Sequence, residues 1–325
     1  MGQIPTNITK IYDLFGNEIT STKTKLIDKD ILESLFCEIL KNIDTIELVR
    51  LLYSKYEAII DFSKLCNGIN TGEKISMLFN PHRYNTPTKK SISIIDAMNH
   101  KPHYLSGLAR ATLWKEGVVK ELLYQTLQLG INGVQYVNEF PPYIARNYYI
   151  KYNAKYILDP CAGWGGRMIG SASMGSFYHG FEPSTKTYKG LLELGAFLKK
   201  FKTGFDFKIE NIPFEDAKLT EKYDFALTSP PYYDTEIYTN EITNSCNRYK
   251  TFEDWVNQFY IPMIQKVMKH TNKFVLNIGS RTYDLKGILL NTYPTAIELS
   301  SSLSGKGGLG KQYNGKESFF LITKK

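Results

Sequence analysis

The second half of this chain alternates strands with helices in a way that few folds allow. From about residue 136 onward, short runs rich in β-branched and aromatic residues are separated by longer stretches with helical periodicity. An alternation of this kind is typical of an α/β sheet with mostly parallel strands. The five predicted strands are 156–159, 177–182, 205–209, 223–228 and 274–278, with helices at 184–200 and 255–270 and Ser184 as a helix cap. Two further strands, 296–303 and 318–323, predict an antiparallel pair joined by a glycine-rich loop.

The first 135 residues have a different pattern, with helical periodicity and no clear strand. Helices are predicted at 30–43, 45–60 and 118–129, and the stretch 67–90, which contains glycines and prolines, is expected to be rich in loops. We therefore expect a largely helical N-terminal region, 1–135, and an α/β domain, 136–325. A length of 325 residues suits one large domain or two modest ones.

The composition is that of a protein of the cytoplasm. No apolar run is long enough to cross a bilayer, so no membrane is expected, and the N-terminus lacks the features of a signal peptide. The four cysteines are scattered, and Pro102 interrupts the one pair of histidines at His-x-x-His spacing. These observations predict neither a disulfide framework nor a bound metal.

Positive charge is concentrated in particular segments of the chain. The formal net charge is +8, and residues 62–115 contain eight Lys or Arg against two acids. A segment of this kind suits a polyanionic partner. An uneven scatter of surface lysines would give the same count, and this alternative stays open.

A glycine-rich turn directly follows the first predicted strand, in the run Asp-Pro-Cys-Ala-Gly-Trp-Gly-Gly-Arg at 159–167. Gly163 and Gly165 allow the backbone to turn sharply and to approach a ligand beyond the carboxyl end of the strand. Glu182 ends the second strand, where an acid can accept hydrogen bonds from the two hydroxyls of a ribose. Met168 stands where a dinucleotide-binding fingerprint has its third glycine. Taken alone, the turn could still hold a dinucleotide or no ligand.

A second motif, Thr-Ser-Pro-Pro-Tyr-Tyr-Asp at 228–234, follows the fourth predicted strand. Consecutive prolines hold the backbone rigid and leave carbonyls that can accept hydrogen bonds from an amino group, to which Ser229 adds a polar contact. Such acceptors orient the delocalised lone pair of an aromatic amine and stabilise its developing charge. Tyr232 offers a face on which a flipped base can stack. An ordinary turn is the alternative for this motif by itself.

Together the two motifs resemble the amino-methyltransferases that act on cytosine N4 and adenine N6, and most closely a group of phage-type DNA methylases. The resemblance covers roughly residues 136–325. It implies a class I methyltransferase fold with a seven-stranded, mostly parallel sheet, S-adenosylmethionine as cofactor and DNA as substrate. The cofactor contacts that the resemblance implies are Asp159, Cys161, Ala162, Gly163, Gly165, Glu182, Asp216 and Pro142. It places Asp216 at the adenine amino group of the cofactor, and Pro142, in the segment 140–146, at its methionine end. The residues it places at the target base are Ser229, Pro230, Pro231 and Tyr232.

The two motifs indicate the type of reaction more specifically than they indicate the substrate. Serine at 229 favours cytosine N4 over adenine N6, whereas methyltransferases of RNA or of protein glutamine share a similar proline-proline-aromatic motif. A second alternative is a catalytically inactive subunit that has a methyltransferase fold and binds DNA. Contact with double-stranded DNA is expected from the basic segment 62–115 or the loop 234–250. The candidates for that contact are Arg83, Tyr84, Lys89 and Lys90.

Overall fold

A computed structural model describes residues 54–87, 92–93, 95–96, 139–235, 237–279, 282–299 and 317–324, and three two-residue strands. The chain divides into two compact units. The first contains Met1–Ser54 and Pro81–Val137, and the second contains Lys55–Asn80 and Asn138–Lys325.

In the first unit, the described elements are a small sheet and a short 3₁₀ helix, Pro81–Asn85. The strand Ile11–Tyr12 lies between Glu18–Ile19, to which it is antiparallel, and Gly117–Val118, to which it is parallel. The sequence indicated no strand in this region. The predicted helix 30–43 and nearly all of the predicted helix 118–129 lie outside the described residues.

The second unit is built on one seven-stranded sheet with the spatial order β3-β2-β1-β4-β5-β7-β6. Its strands are β1 Tyr156–Asp159, β2 Phe177–Phe181, β3 Asp206–Glu210, β4 Phe225–Thr228, β5 Lys273–Gly279, β6 Ile297–Leu299 and β7 Glu317–Thr323. Strands β1 to β5 are parallel, and β7 is antiparallel to both β5 and β6. This order, with the antiparallel strand inserted next to last, confirms the class I methyltransferase architecture.

The helices cover both faces of this sheet. In chain order they are α1 Lys55–Cys66, α2 Glu73–Phe79, α3 Pro142–Lys151, α4 Gly166–Met174, α5 Thr185–Phe201, α6 Ser245–Arg248, α7 Phe252–Trp255, α8 Ile261–His270 and α9 Leu285–Thr292. A π-helical turn, Val256–Tyr260, joins α7 to α8 without a break. In the described parts of the chain, no helix is both long and apolar enough to cross a membrane.

Side chains of the strands alternate between two hydrophobic clusters, as the two-residue period of a strand requires. On β4, Phe225 and Leu227 enter the cluster formed with α1, α3, α4 and α5, whereas Ala226 enters the cluster formed with α8 and α9. Val275 and Leu276 of β5 divide in the same way. The sheet is therefore buried on both faces, and its ligands are expected at the carboxyl ends of the strands.

One segment that the sequence analysis placed in the N-terminal region belongs to the second unit. Residues 55–80 contribute α1 and α2, and α2 interrupts the stretch predicted as loop. The reason is burial: Phe62 and Leu65 of α1 and Ile75 of α2 join the hydrophobic cluster on one face of the sheet. Between the two helices, Asp61 accepts hydrogen bonds from the backbone N–H groups of Gly72 and Lys74, both at 3.1 Å.

Candidate active site

The loop after β1 is organised by Asp159, whose carboxylate is completely buried. Oδ1 accepts from the Cys161 backbone N–H at 3.2 Å and from the Thr228 hydroxyl at 2.7 Å. Oδ2 accepts from Arg167 Nε at 2.7 Å and from the Tyr178 hydroxyl at 2.5 Å. Four donors, from the loop after β1 and from β2, β4 and α4, therefore converge on one side chain. Asp159 supports the loop from behind and does not line the cavity in front of it.

The glycines of this loop have the backbone freedom that the sequence predicted. Gly165 precedes α4 with φ of 98°, and a Cβ at this position would lie 2.6 Å from the side chain of Leu194. Gly163, at φ of 56°, turns its N–H toward Glu182. The loop thereby curls around a cavity that is lined by Cys161, Ala162 and Gly163, but not by Gly165.

Glu182 directly follows β2 and faces this cavity, with 8% of its surface exposed. Its Oε2 accepts from the Gly163 N–H at 3.0 Å and its Oε1 from the Ser184 N–H at 2.9 Å. Burial raises the pKa of Glu182 to about 8. Each oxygen of the ionised form keeps an acceptor site for a further donor, which suits a pair of vicinal hydroxyls.

Ser184 occupies the predicted cap position of α5, but its side chain makes no capping hydrogen bond. The carboxylate of Glu241 does this instead, accepting from both the backbone N–H and the hydroxyl of Thr185. Glu241 belongs to the loop that follows the Pro-Pro motif, so this contact anchors the loop to the start of α5. From the same loop, Tyr238 lines the cavity and its ring meets Trp164 edge-on at 5.5 Å.

In the segment after β3, the structure places Glu215 rather than Asp216 at the cavity. Asp216 points outward, where its two oxygens pair with the guanidinium of Arg248 at 2.5 and 2.8 Å. The side chain of Glu215 is 9% exposed, and its partial burial raises its pKa. Lys266 of α8 holds this segment by donating to the backbone carbonyls of Phe214, Glu215 and Ala217 at 2.7 to 2.9 Å.

The Ser-Pro-Pro-Tyr motif lies at the carboxyl end of β4, and all four of its residues, Ser229, Pro230, Pro231 and Tyr232, line the cavity. Asn277 of β5 lies beneath it and accepts from the Ser229 and Tyr232 hydroxyls, both at 3.0 Å. Gly279 makes room for the ring of Tyr232, because a Cβ at 279 would come within 2.6 Å of it.

The chain turns sharply after this motif. Tyr233 adopts φ of 57°, which is strained for a bulky side chain. Its ring is held by Phe252, Trp255 and Tyr283, and its hydroxyl donates to the Lys250 carbonyl at 2.7 Å. Aromatic packing of this kind compensates backbone strain and keeps the preceding motif in place.

The predicted methionine-end contact differs by a few residues from what the structure shows. Pro142 is the first residue of α3, is buried and does not line the cavity. Its ring lies 3.0 Å from where a Cβ of Gly72 would be, on the side of α1 and α2. Glu139 and Phe140, just before it, line the cavity instead.

Of the predicted DNA-contacting residues, the two that the structure describes, Arg83 and Tyr84, do not line this cavity. Arg83 and Tyr84 are buried, with 6% and 1% of their surface exposed, which leaves little surface for a nucleic-acid contact. Both side chains lie in the 3₁₀ helix Pro81–Asn85, within a stretch predicted as loop. Lys89 and Lys90 lie outside the described residues.

The cavity thus combines predicted and unexpected residues. Those that sequence reasoning missed share no motif and come from distant parts of the chain. They include Glu139, Trp164, Glu215, Tyr238, Asn277 and Glu317. A signal existed for Trp164, which lies inside the glycine-rich run, and for Glu215, which neighbours the acid chosen at 216.

No protein-family model and no curated protein matches the sequence. Solved structures do resemble it. Magnesium protoporphyrin IX methyltransferase from Synechocystis PCC 6803, with bound SAM, is 10% identical, with a TM-score of 0.37 over 55% of this chain and 76% of that one. The glycopeptide N-methyltransferase MtfA is 9% identical, with a TM-score of 0.38 over 57% and 87%. The human methyltransferase 10 domain containing protein is 13% identical, with a TM-score of 0.35 over 57% and 83%. These likenesses do not bear on what the present chain acts on.

Proposed function

We propose that this protein is an S-adenosylmethionine-dependent methyltransferase that methylates the exocyclic amino group of a DNA base, with cytosine N4 favoured over adenine N6. One observation carries the proposal. The Ser229–Tyr232 motif and the cofactor-type elements, Glu182 and the glycine loop, face a single cavity at the carboxyl ends of adjacent strands.

The residues of the cavity fit S-adenosylmethionine. The oxygens of Glu182 suit the ribose hydroxyls, while Pro213 and Phe214 offer apolar surface to an adenine ring and Glu215 an acceptor to its amino group. Among the described lining residues, four are acidic and one is a cation, Arg167, which is paired with Asp159. An acidic lining suits a ligand that carries a sulfonium and an ammonium. When bound, the cofactor supplies a methyl group attached to a sulfonium leaving group.

Ser229 and Pro230 orient the amino group of the target base. The Ser229 oxygen and the Pro230 carbonyl accept hydrogen bonds from its two N–H groups, which directs the nitrogen lone pair out of the plane of the base. The same acceptors stabilise the positive charge that develops on nitrogen as the bond to carbon forms. Tyr232 lies beside them, where its ring can stack on an extruded base.

DNA is favoured over RNA and protein glutamine by Ser229, because those other enzymes more often have Asn or Asp at this position. The net charge of +8, with its basic segment 62–115, agrees with a polyanionic substrate. An inactive subunit is disfavoured because both motifs are intact and face one cavity.

The direct test uses the purified protein, labelled S-adenosylmethionine and double-stranded DNA, followed by digestion to nucleosides and mass spectrometry. We expect label in N4-methylcytosine, and N6-methyladenine would support the reaction class while changing the base. The Ser229→Ala variant is the matched control and should label the DNA at least about tenfold more slowly. Label found only in RNA or in protein glutamine, offered in parallel reactions, would contradict the assignment to DNA.

A further inference from the structure

The side chain of Trp255 is held in one position next to the cavity wall. It is completely buried, and its indole packs against four aromatic rings, those of Tyr233, Phe252, Phe259 and Tyr260. Its Nε1 lies 3.0 Å from the hydroxyl oxygen of Ser245, the first residue of α6. Ser245 lines the cavity and Trp255 does not, so Ser245 stands between the indole and the cavity.

This contact determines the hydrogen-bonding role of the Ser245 hydroxyl. An indole has a single nitrogen, which can only donate, so Ser245 Oγ accepts the hydrogen bond. The hydroxyl therefore keeps its own proton, and no acceptor for this proton is found in the described part of the chain. Because Ser245 is 6% exposed and lines the cavity, a ligand in the cavity is the natural source of that acceptor.

The same turn of helix connects Ser245 to Glu215. Arg248, at the end of α6, and Tyr249, directly after it, both donate to Glu215 Oε1, at 3.3 and 3.1 Å. Among the described residues, no other residue donates to Glu215 Oε2, so this oxygen is left as an acceptor for a ligand. Ser245 and Glu215 both line the cavity, and this turn places a hydroxyl donor and a carboxylate acceptor at the end assigned to the adenine ring.

We propose that Ser245 binds the cofactor, donating its hydroxyl proton to the ring nitrogen next to the adenine amino group, N1 or N7. Glu215 accepts from that amino group, so the site recognises the amino group and the neighbouring nitrogen together. This inference rests on the S-adenosylmethionine part of the proposed function. It adds a specificity-determining residue that lies outside both sequence motifs, and it makes Trp255 the residue that positions the hydroxyl.

The first test measures the binding of S-adenosylhomocysteine, the cofactor without its methyl group, by isothermal titration calorimetry. In Ser245→Ala we expect the dissociation constant to rise about tenfold, the effect of one buried hydrogen bond. Ser245→Cys is a second variant of nearly unchanged size, and because a thiol is a weak donor, it should weaken binding in the same direction. Ser63→Ala is the matched control, since Ser63 is exposed on α1 and does not line the cavity, and it should bind as wild type does.

The second test removes the acceptor from the ligand. The 1-deaza and 7-deaza analogues of S-adenosylhomocysteine each replace one ring nitrogen by C–H. We expect one of the two to bind wild type about tenfold more weakly than the parent compound does, and to bind Ser245→Ala within about twofold of wild type, because the variant has no donor to lose. Damage to the fold would instead weaken the binding of all three ligands by the same factor.

The outcomes separate the two proposals. If S-adenosylhomocysteine binds wild type and both Ser245 variants equally well, or if wild type binds both deaza analogues as tightly as the parent compound, the role of Ser245 is refuted and the proposed function stands. The role of Ser245 is also refuted if Ser245→Ala weakens all three ligands by the same factor. If wild type binds neither S-adenosylmethionine nor S-adenosylhomocysteine, the proposed function fails and the inference fails with it.

Discussion

The pKa of Glu182 makes cofactor affinity depend on pH in a direction that can be worked out. Burial raises this pKa to about 8, so about one carboxyl in eleven is ionised at pH 7 and about ten in eleven at pH 9. The ionised form offers acceptor sites on both oxygens to ribose hydroxyls, while the neutral form uses one oxygen as a donor. If the ionised form binds, the affinity for S-adenosylmethionine rises about tenfold between pH 7 and pH 9. Glu182→Gln removes the titration and should bind more weakly at every pH.

The assay is isothermal titration calorimetry of wild type and Glu182→Gln with S-adenosylmethionine at pH 6.5, 7, 8 and 9. The α-amino group of the cofactor titrates in the same range. The quantity compared at each pH is therefore the affinity of wild type divided by that of Glu182→Gln, in which the cofactor's own titration cancels. The reasoning is refuted if this ratio stays constant or falls between pH 7 and pH 9.

The same raised pKa predicts how the cofactor-free protein responds to pH. The folded state holds the Glu182 proton more tightly than the unfolded chain, so protonation of Glu182 stabilises the fold. This contribution is fully present below the ordinary pKa of a glutamate and is lost as pH rises through about 8. The unfolding temperature of wild type should therefore decline relative to that of Glu182→Gln across this window.

Three further changes test other parts of the site. Ser229→Ala should lower kcat at least about tenfold while the dissociation constant of the cofactor, measured by calorimetry, stays within about twofold, because Ser229 Oγ is assigned to the amine; equal losses in both would contradict this assignment. Lys266→Met leaves the backbone carbonyls of Phe214, Glu215 and Ala217 without their shared donor. It should weaken cofactor binding and lower the free energy of unfolding, measured by urea titration, by about 2 kcal/mol. Unchanged cofactor affinity would show that this segment keeps its position without Lys266. Gly279→Ala displaces the ring of Tyr232, so kcat on DNA should fall while the affinity for the cofactor stays unchanged. Wild-type turnover would show that catalysis does not require Tyr232 in this position.

Much of the fold was predictable because it is encoded locally. Short runs rich in β-branched and aromatic residues marked β1 to β5, because a sheet buried on both faces has near-continuous apolar strands. Apolar residues at helical spacing marked α5 and α8. The glycine turn and the Pro-Pro motif were also readable, because backbone freedom and rigidity follow from residue type. The helix α2 was missed because its neighbouring glycines and prolines indicated a loop, and packing in the second unit outweighed them.

By itself, the sequence determined the order of the strands along the chain, the turns that follow β1 and β4, and the acid that follows β2. The tertiary structure decided which neighbouring side chain faces the cavity. Glu215 lines it, whereas Asp216 is exposed and pairs through both oxygens with Arg248, 32 residues beyond it. Asn277 reaches Ser229, 48 residues away, only because β5 pairs beside β4. In a loop without periodicity, a side chain's direction depends on partners that are distant in sequence, and folding alone brings those partners together.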